Sequence, residues 1–138
     1  MPVVIVDTGP LVAFLDQREA HHAWVREEFG RLRAPLRTCE IVLAETAYLL
    51  LRRGLPTERF FQLFRRNLVE VRFEFAADWE NLEMLMAAYH DTPMSLADAC
   101  LVRMSEQEHE SVIFTLDQHF LVYRRQGNRN IPLLAPFV

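Results

Sequence analysis

The chain has no lysine. All fifteen of its basic residues are arginine, set against nineteen acidic residues for a formal charge of −4. A phosphate-binding P-loop, a Schiff-base enzyme and a receiver-type phosphoacceptor site each depend on a lysine amine, so all three chemistries are disfavoured. Cysteine is scarce. Cys39 and Cys100 both sit in apolar contexts that suit buried free thiols in a reducing compartment, and no Cys/His spacing resembles a zinc site. No apolar run approaches the roughly 20 residues of a membrane span. No basic segment followed by an apolar stretch and a cleavage site opens the sequence. These absences predict a cytoplasmic protein with no membrane association. The negative net charge also argues against a non-specific nucleic-acid coat. An acidic pocket that holds cations and is rimmed by arginine still accommodates nucleic acid.

What is present reads as one domain over residues 1–138, half hydrophobic and a quarter charged, long enough for a real core. The stretch from Val3 to Val12 organises it. Val3-Val4-Ile5-Val6 is the signature of a strand buried on both faces, as in a parallel sheet. Asp7 follows at the strand's carboxyl end, Gly9 and Pro10 turn the chain, and Leu11 to Leu15 begins a helix with Pro10 near its first turn. Ligands of open α/β sheets bind outside the carboxyl ends of the strands, so Asp7 stands where such a fold does its chemistry.

Further along, His21 to Leu32 has helical spacing, with His21 and His22 at its polar start as solvated residues rather than metal ligands. Pro35 to Cys39 is a weak second strand. Glu40 to Arg53 predicts a helix that is apolar nearly all round and so largely buried, with Glu45 the single charge in its interior. Thr57 caps a helix over 58–67 whose apolar face is Phe60, Phe61 and Phe64, a core or dimer surface. Residues 69–75 alternate as an edge strand. Residues 76–90 form a helix with Trp79, Leu82, Leu85, Met86 and Tyr89 inward. Ser95 begins another helix that runs to about His109, Ser111 to Thr115 is a second buried strand, and 118–125 follows as a helix. Gly127 to Asn130 turns into a last, proline-marked edge strand at 131–134.

Asp7, Glu45, Asp98 and Asp117 stand out from this background. Each also has a structural explanation of its own. Glu45 can pair with a core arginine or reach the surface, Asp98 can complete a capping box with Ser95, and Asp117 can cap a helix. Adjacent strands at 3–6 and 112–115 would place Asp7 and Asp117 on one sheet edge. The helices bearing Glu45 and Asp98 could then aim inward. Carboxylates that converge repel one another and raise their pKa values, and the hard divalent cations Mg²⁺ and Mn²⁺ are the natural neutralisers of an oxygen-only site.

The segments Val6-Asp7-Thr8-Gly9-Pro10-Leu11, Val42-Leu43-Ala44-Glu45-Thr46, Met94-Ser95-Leu96-Ala97-Asp98-Ala99 and Thr115-Leu116-Asp117 together resemble the motifs of PIN domains. They are most similar to the VapC-type toxins of VapBC toxin–antitoxin systems, in the same order and over nearly the whole chain. The resemblance implies a three-layer α/β/α sandwich with a mainly parallel central sheet. It implies an endoribonuclease that cleaves single-stranded RNA with Mg²⁺ or Mn²⁺ and a metal-activated water. Asp7, Glu45, Asp98 and Asp117 would then be its catalytic, metal-binding carboxylates and Thr8 and Thr115 supporting hydroxyls. It further implies an antitoxin protein as partner and a homodimer. Arg52-Arg53, Arg65-Arg66, Arg124-Arg125 and Arg129 are candidates to line an RNA path, with solvated helix ends as the plainer reading. The alternative is a non-catalytic module of the same fold that acts through a protein partner. A phosphohydrolase of the haloacid dehalogenase type fits worse, because Gly9 stands where that class needs a second aspartate.

Overall fold

The computed structural model describes every residue from Met1 to Val138. In chain order it contains β1 (Val3–Val6), α1 (Thr8–Leu15), α2 (His22–Arg31), β2 (Leu36–Thr38), α3 (Glu40–Arg52), α4 (Thr57–Arg65), β3 (Val69–Val71), α5 (Phe75–Ala88), α6 (Leu96–Gln107), β4 (Ser111–Phe114), a 3-10 turn (Gln118–Leu121), β5 (Arg124–Arg125), β6 (Arg129–Asn130) and β7 (Leu133–Leu134). Five strands pair in the order β3-β2-β1-β4-β7, every neighbouring pair parallel. Helices cover both faces, giving the three-layer α/β/α arrangement. No helix is long and apolar enough to cross a membrane.

The two apolar runs read as buried strands lie side by side at the centre, with Val6 opposite Phe114 and Ile5 opposite Ile113. Both need apolar cover on both faces, and the register shows how they get it. Val4 and Val6 share a face with Phe114, whose ring meets Trp24 edge-on at 5.8 Å and Phe29 at 5.7 Å, so α2 covers that side. Val3 and Ile5 face the other way, toward Met104 of α6. The core is one contiguous cluster of 29 buried residues built around this pair of strands.

The strand order decides where a site can form. From β1 the chain moves outward to β2 and β3, then crosses back to lay β4 on the other side of β1. The strand order therefore reverses between β1 and β4, and the crevice beyond their carboxyl ends is the switch point at which open α/β sheets bind ligands. Asp7 and Thr115 leave the sheet at that point.

Several expectations need correction. Helix α3 is not largely buried. Only Val42, Leu43, Thr46 and Leu50 are, while Tyr48 and Leu51 are 56% and 58% exposed. An all-round apolar sequence needs a second helix or a partner chain to cover it, and in the monomer one face has neither. For the same reason Leu63 is the buried residue of α4, while Phe61 and Phe64 lie outside and pack mainly on Phe60 and each other. The first helical residue of α4 is Thr57, and Pro56, not Thr57, holds the cap position without a side-chain bond. In α5 the buried positions are Asp78 and Leu82, and Trp79 is half exposed. Asp78 is inside because Arg103 of α6 donates to it at 2.7 Å.

The residues from 118 to 125 do not form an α-helix. They make the 3-10 turn and then β5, which pairs antiparallel with β6 across Gln126 and Gly127, both at positive φ (51° and 83°). A 3-10 turn brings residues three apart onto one line. Phe120 and Tyr123 use this to pack edge to face at 5.1 Å, both fully buried.

Candidate active site

One cleft of about 600 Å³ gathers all four acidic candidates: Asp7, Glu45, Asp98 and Asp117 line it together with Thr8 and Gly9. Asp7 closes β1 and caps α1. Its backbone is still extended, so the carboxyl reaches forward, and Oδ1 accepts from the Thr8 amide at 2.7 Å. Its Oδ2 accepts from the Thr115 hydroxyl at 2.8 Å. Thr115 Oγ1 in turn accepts from the Asp117 amide at 3.0 Å. One fully buried hydroxyl at the end of β4 thus ties the Asp7 carboxylate to the backbone of the next acidic residue. Gly9 belongs here because a Cβ would stand 3.3 Å from the Leu116 side chain, tighter than packing normally allows.

Asp98 is placed by its helix cap. The Ser95 hydroxyl accepts from the Asp98 amide at 3.0 Å, and Asp98 Oδ2 accepts from the Ser95 amide at 3.3 Å. The capping box read from the sequence is therefore real, and it does not remove Asp98 from the cleft. Its Oδ2 also accepts from the Tyr123 hydroxyl at 2.9 Å, which leaves Oδ1 without a protein partner. Asp117 caps the 3-10 turn, its Oδ1 accepting from the His119 amide at 2.9 Å and lying 2.8 Å from His119 Nδ1. Glu45 reaches the cleft from α3 but is exposed, not buried as the apolar helix predicted, and forms no hydrogen bond or ion pair.

Burial sets the electrostatics. Desolvation pushes the Asp7 pKa up to about 7 from an ordinary 3.8, against the hydrogen bonds from Thr115 and Thr8, and the charges of Asp98 and Asp117 push it further. Asp98 is also raised, chiefly by burial, with Asp117 adding to it. Burial and then Asp98 push the Tyr123 phenol up, so it remains a donor. At the rim, Arg53 is held by Asp16 at 3.1 Å and Glu19 at 2.9 Å.

The cleft thus holds two buried carboxylates, Asp7 and Asp98, with free lone pairs, and its one arginine, Arg53, pairs with Asp16 and Glu19 rather than with either of them. Thr8 Oγ1, beside Asp7, is buried with no hydrogen-bond partner. No three His, Cys, Asp or Glu side chains are close enough to form a direct three-ligand set. This donor set suits Mg²⁺ or Mn²⁺. Mg²⁺ is typically held by one or two carboxylates and keeps several waters, whereas zinc takes three or four close protein ligands, usually His or Cys among them.

Tyr123 was not singled out by the sequence reading, although a tyrosine three residues from a phenylalanine in an apolar stretch signals a buried phenol that needs a polar partner. Arg53 and Glu19 at the rim were also missed as a pair, because their bond spans 34 residues. Asp91 and Glu40, near two of the motifs, do not line the cleft.

A model of the PIN domain matches residues 4–126. Ribonuclease VapC26 of Mycobacterium tuberculosis is 31% identical over 130 residues, covering 90% of this chain and 94% of that protein. Among solved structures, the sarcin–ricin-loop-cleaving toxin VapC20 of Mycobacterium tuberculosis superposes with a TM-score of 0.73 at 20% identity, covering 83% of this chain and 90% of that one. The parallel sheet, the acidic cleft at its switch point and these matches agree, and the chain belongs to the PIN-domain family, with VapC ribonucleases among its relatives.

Proposed function

We propose that the protein is a divalent-metal-dependent endoribonuclease that cleaves single-stranded RNA, and that it serves as the toxin of a type II toxin–antitoxin pair. The observation that carries this reading is the convergence of Asp7, Asp98, Asp117 and Glu45 on one cleft at the switch point. A matching PIN-domain model and a relative that is a ribonuclease support it.

In this reading Asp7 and Asp98 hold Mg²⁺ or Mn²⁺, and Glu45 and Asp117 contribute directly or through water. When bound, the cation supplies positive charge against the phosphate and lowers the pKa of the attacking water. The chain's own residues do the positioning. Thr115 and the Thr8 amide fix both oxygens of Asp7. Tyr123 and the Ser95 amide fix one oxygen of Asp98 and leave the other free. The cleft also lacks a paired serine or cysteine and histidine, so a water nucleophile is the simplest chemistry it supports. As partners the reading includes an antitoxin protein and a second copy of the chain, for which exposed Tyr48 and Leu51 of α3 and Phe61 and Phe64 of α4 offer apolar surface.

The test is incubation of the purified protein with labelled single-stranded RNA in Mg²⁺, in Mn²⁺ and in EDTA, beside Asp7→Asn. Cleavage that requires metal and disappears in the variant supports the nuclease. No cleavage over a diverse RNA pool, together with no Mn²⁺ binding by calorimetry, rejects it and favours a binding module.

A further inference from the structure

Helix α3 turns one face to the cleft. Glu45, Leu49 and Arg53 recur every four residues along the helix and its cap, and all three line the cavity. Glu45 stands at the inner end of this row. Arg53 stands at the outer end, about 12 Å further along the helix axis at 1.5 Å per residue. It is the only arginine among the lining residues, which include the carboxylates of Asp7, Glu19, Glu45, Asp98 and Asp117.

The guanidinium of Arg53 is held by one nitrogen only. Nη1 donates both its hydrogens, to Asp16 at 3.1 Å and to Glu19 at 2.9 Å, and these are the side chain's only bonds. Nε and Nη2 are left without a protein partner. Their N–H bonds run side by side and make the planar fork that takes an oxyanion with two parallel hydrogen bonds. Arg18 shows the contrast. Its Nε and Nη2 both donate to Asp16, so its fork is used up inside the protein. The same cluster fixes where Arg53 stands. The Arg53 amide closes the end of α3, its carbonyl accepts from Arg18 Nη2 at 2.9 Å, and the buried Asp16 is an acceptor that both arginines share. The side chain is still 36% exposed, so this pairing does not seal it off. An arginine already held in place gives up less rotamer freedom to a ligand than a free one does.

We propose that the Nε–Nη2 edge of Arg53 binds a backbone phosphate of the RNA, displaced along the strand from the scissile phosphate at the carboxylates. The proposal deepens the nuclease reading and rests on it for the substrate. A strand in a cleft lined with carboxylates is repelled wherever nothing offsets the charge of its phosphates. At the scissile phosphate the bound cation of that reading offsets it. Further along α3, within the same cavity, the one guanidinium is that of Arg53. A contact to phosphate carries no sequence information, and it sets the register of the strand against the acidic residues. Arg53 thus positions the substrate on which the carboxylates act.

The experiment uses the full chain in EDTA, so that binding is measured without turnover. Anisotropy of a fluorescein-labelled 20-nucleotide single-stranded RNA is followed over a salt series for wild type, Arg53→Gln, Arg53→Lys and Arg18→Gln. Arg18→Gln makes the same change of charge in the same cluster, but Arg18 does not line the cleft. Arg53→Gln is expected to lose about tenfold in affinity, the size of a hydrogen-bonded contact to a charged group. It should also lose about 0.7 in the slope of log affinity against log salt, the share of one phosphate on a single strand. Arg53→Lys should keep the slope and recover part of the affinity, because the charge remains and the fork does not. Arg18→Gln, which alters charge only at a screened distance, should lose no more than about twofold. On the unmutated chain, the Nε–H resonance of Arg53, identified by its absence from the Arg53→Lys spectrum, should shift as the RNA is added. Unchanged affinity in Arg53→Gln overturns the proposal. Equal losses in Arg53→Gln and Arg18→Gln also overturn it, since the cluster then only shapes the rim. An Arg53 resonance that stays in place at saturating RNA overturns it even if Arg53→Gln does not fold. Cleavage of the same RNA in Mn²⁺ is followed alongside. If wild type binds the RNA but cleaves none, the nuclease reading fails while the binding comparison still judges Arg53. Wild type that neither binds nor cleaves RNA overturns both.

Discussion

The acidic cleft and a second groove, between α2 and α4 and lined by Arg26, Arg59 and Arg66, lie on either side of one short connection, residues 16–21, and carry opposite charge. Both draw on the same limited stock of ionisable side chains. What separates them is pairing. At the cleft rim Arg53 is held by Asp16 and Glu19, so it pairs with none of Asp7, Glu45 and Asp98. In the groove no carboxylate lines the walls, and its arginines form no ion pair. A charged surface is thus made as much by where counter-charges are withheld as by where charges are placed. The cost differs too. Exposed arginines in a groove remain solvated, whereas a buried aspartate without a cation destabilises the fold.

The comparison can be sharpened from its strong end to its weak one. Replacing Asp7 by Asn removes the deepest carboxylate of the cleft. It is expected to lower metal-dependent RNA cleavage by at least about 10²–10³-fold, on the scale of losing one transition-state contact, with little change in RNA affinity in EDTA. Single-turnover rates and anisotropy read the two quantities separately. Tyr123→Phe deletes one hydrogen bond to Asp98 and nothing else in the cleft. A roughly tenfold loss of cleavage is expected, the size of a hydrogen bond to a charged group, and Mn²⁺ calorimetry locates the loss in metal affinity.

The stability effects have opposite signs inside the cleft and at its rim. Folded Asp7 binds its proton up to about pH 7, whereas the unfolded chain releases it near 3.8. Stability therefore falls as pH rises through that window, and the penalty is complete above it. In EDTA at pH 8, Asp7→Asn should melt several degrees above wild type, and Mg²⁺ should raise the melting temperature of wild type but not of the variant. Asp16 behaves the other way. The Arg18 side chain first, and Arg53 after it, hold its carboxyl well below the usual range. Its stabilisation is present at neutral pH and is lost as pH falls below the ordinary carboxylate value. Asp16→Asn should lower the melting temperature by a few degrees at pH 7 and make the acid side of the stability curve shallower, measured by calorimetry from pH 7 to 3.

The strongly local features were legible from residues alone. Val3 to Val6 and Ser111 to Phe114 read as buried strands because β-branched and aromatic runs of that length have few other uses. The Ser95–Asp98 box and the position of Asp7 after its strand followed from neighbours within three residues. What was not legible depended on partners far off in sequence. The pattern of α3 tells which residues avoid water, not whether anything covers Tyr48 and Leu51. A four-residue 3-10 turn at Gln118 differs from an α-helix by one hydrogen-bond step, and the packing of Phe120 on Tyr123 that goes with it is not visible in the pattern of the sequence. Arg26, Arg59 and Arg66 belong to separate stretches, and no motif unites them before the fold does. Glu45 lines the cleft, but without the burial that singled it out.

The bond between Thr115 and Asp7 joins residues 108 positions apart, and Tyr123, which holds Asp98, comes later still. Asp7 is synthesised well before Thr115, so its carboxylate gains its second anchor only after β4 has been made. A nascent chain therefore carries Asp7, Glu45 and Asp98 without a formed cleft until β4 and Thr115 have been made. Translation interrupted before residue 111 yields a fragment that lacks both β4, the neighbour of β1, and the hydroxyl that orients Asp7, so in an incomplete copy the cleft is not assembled.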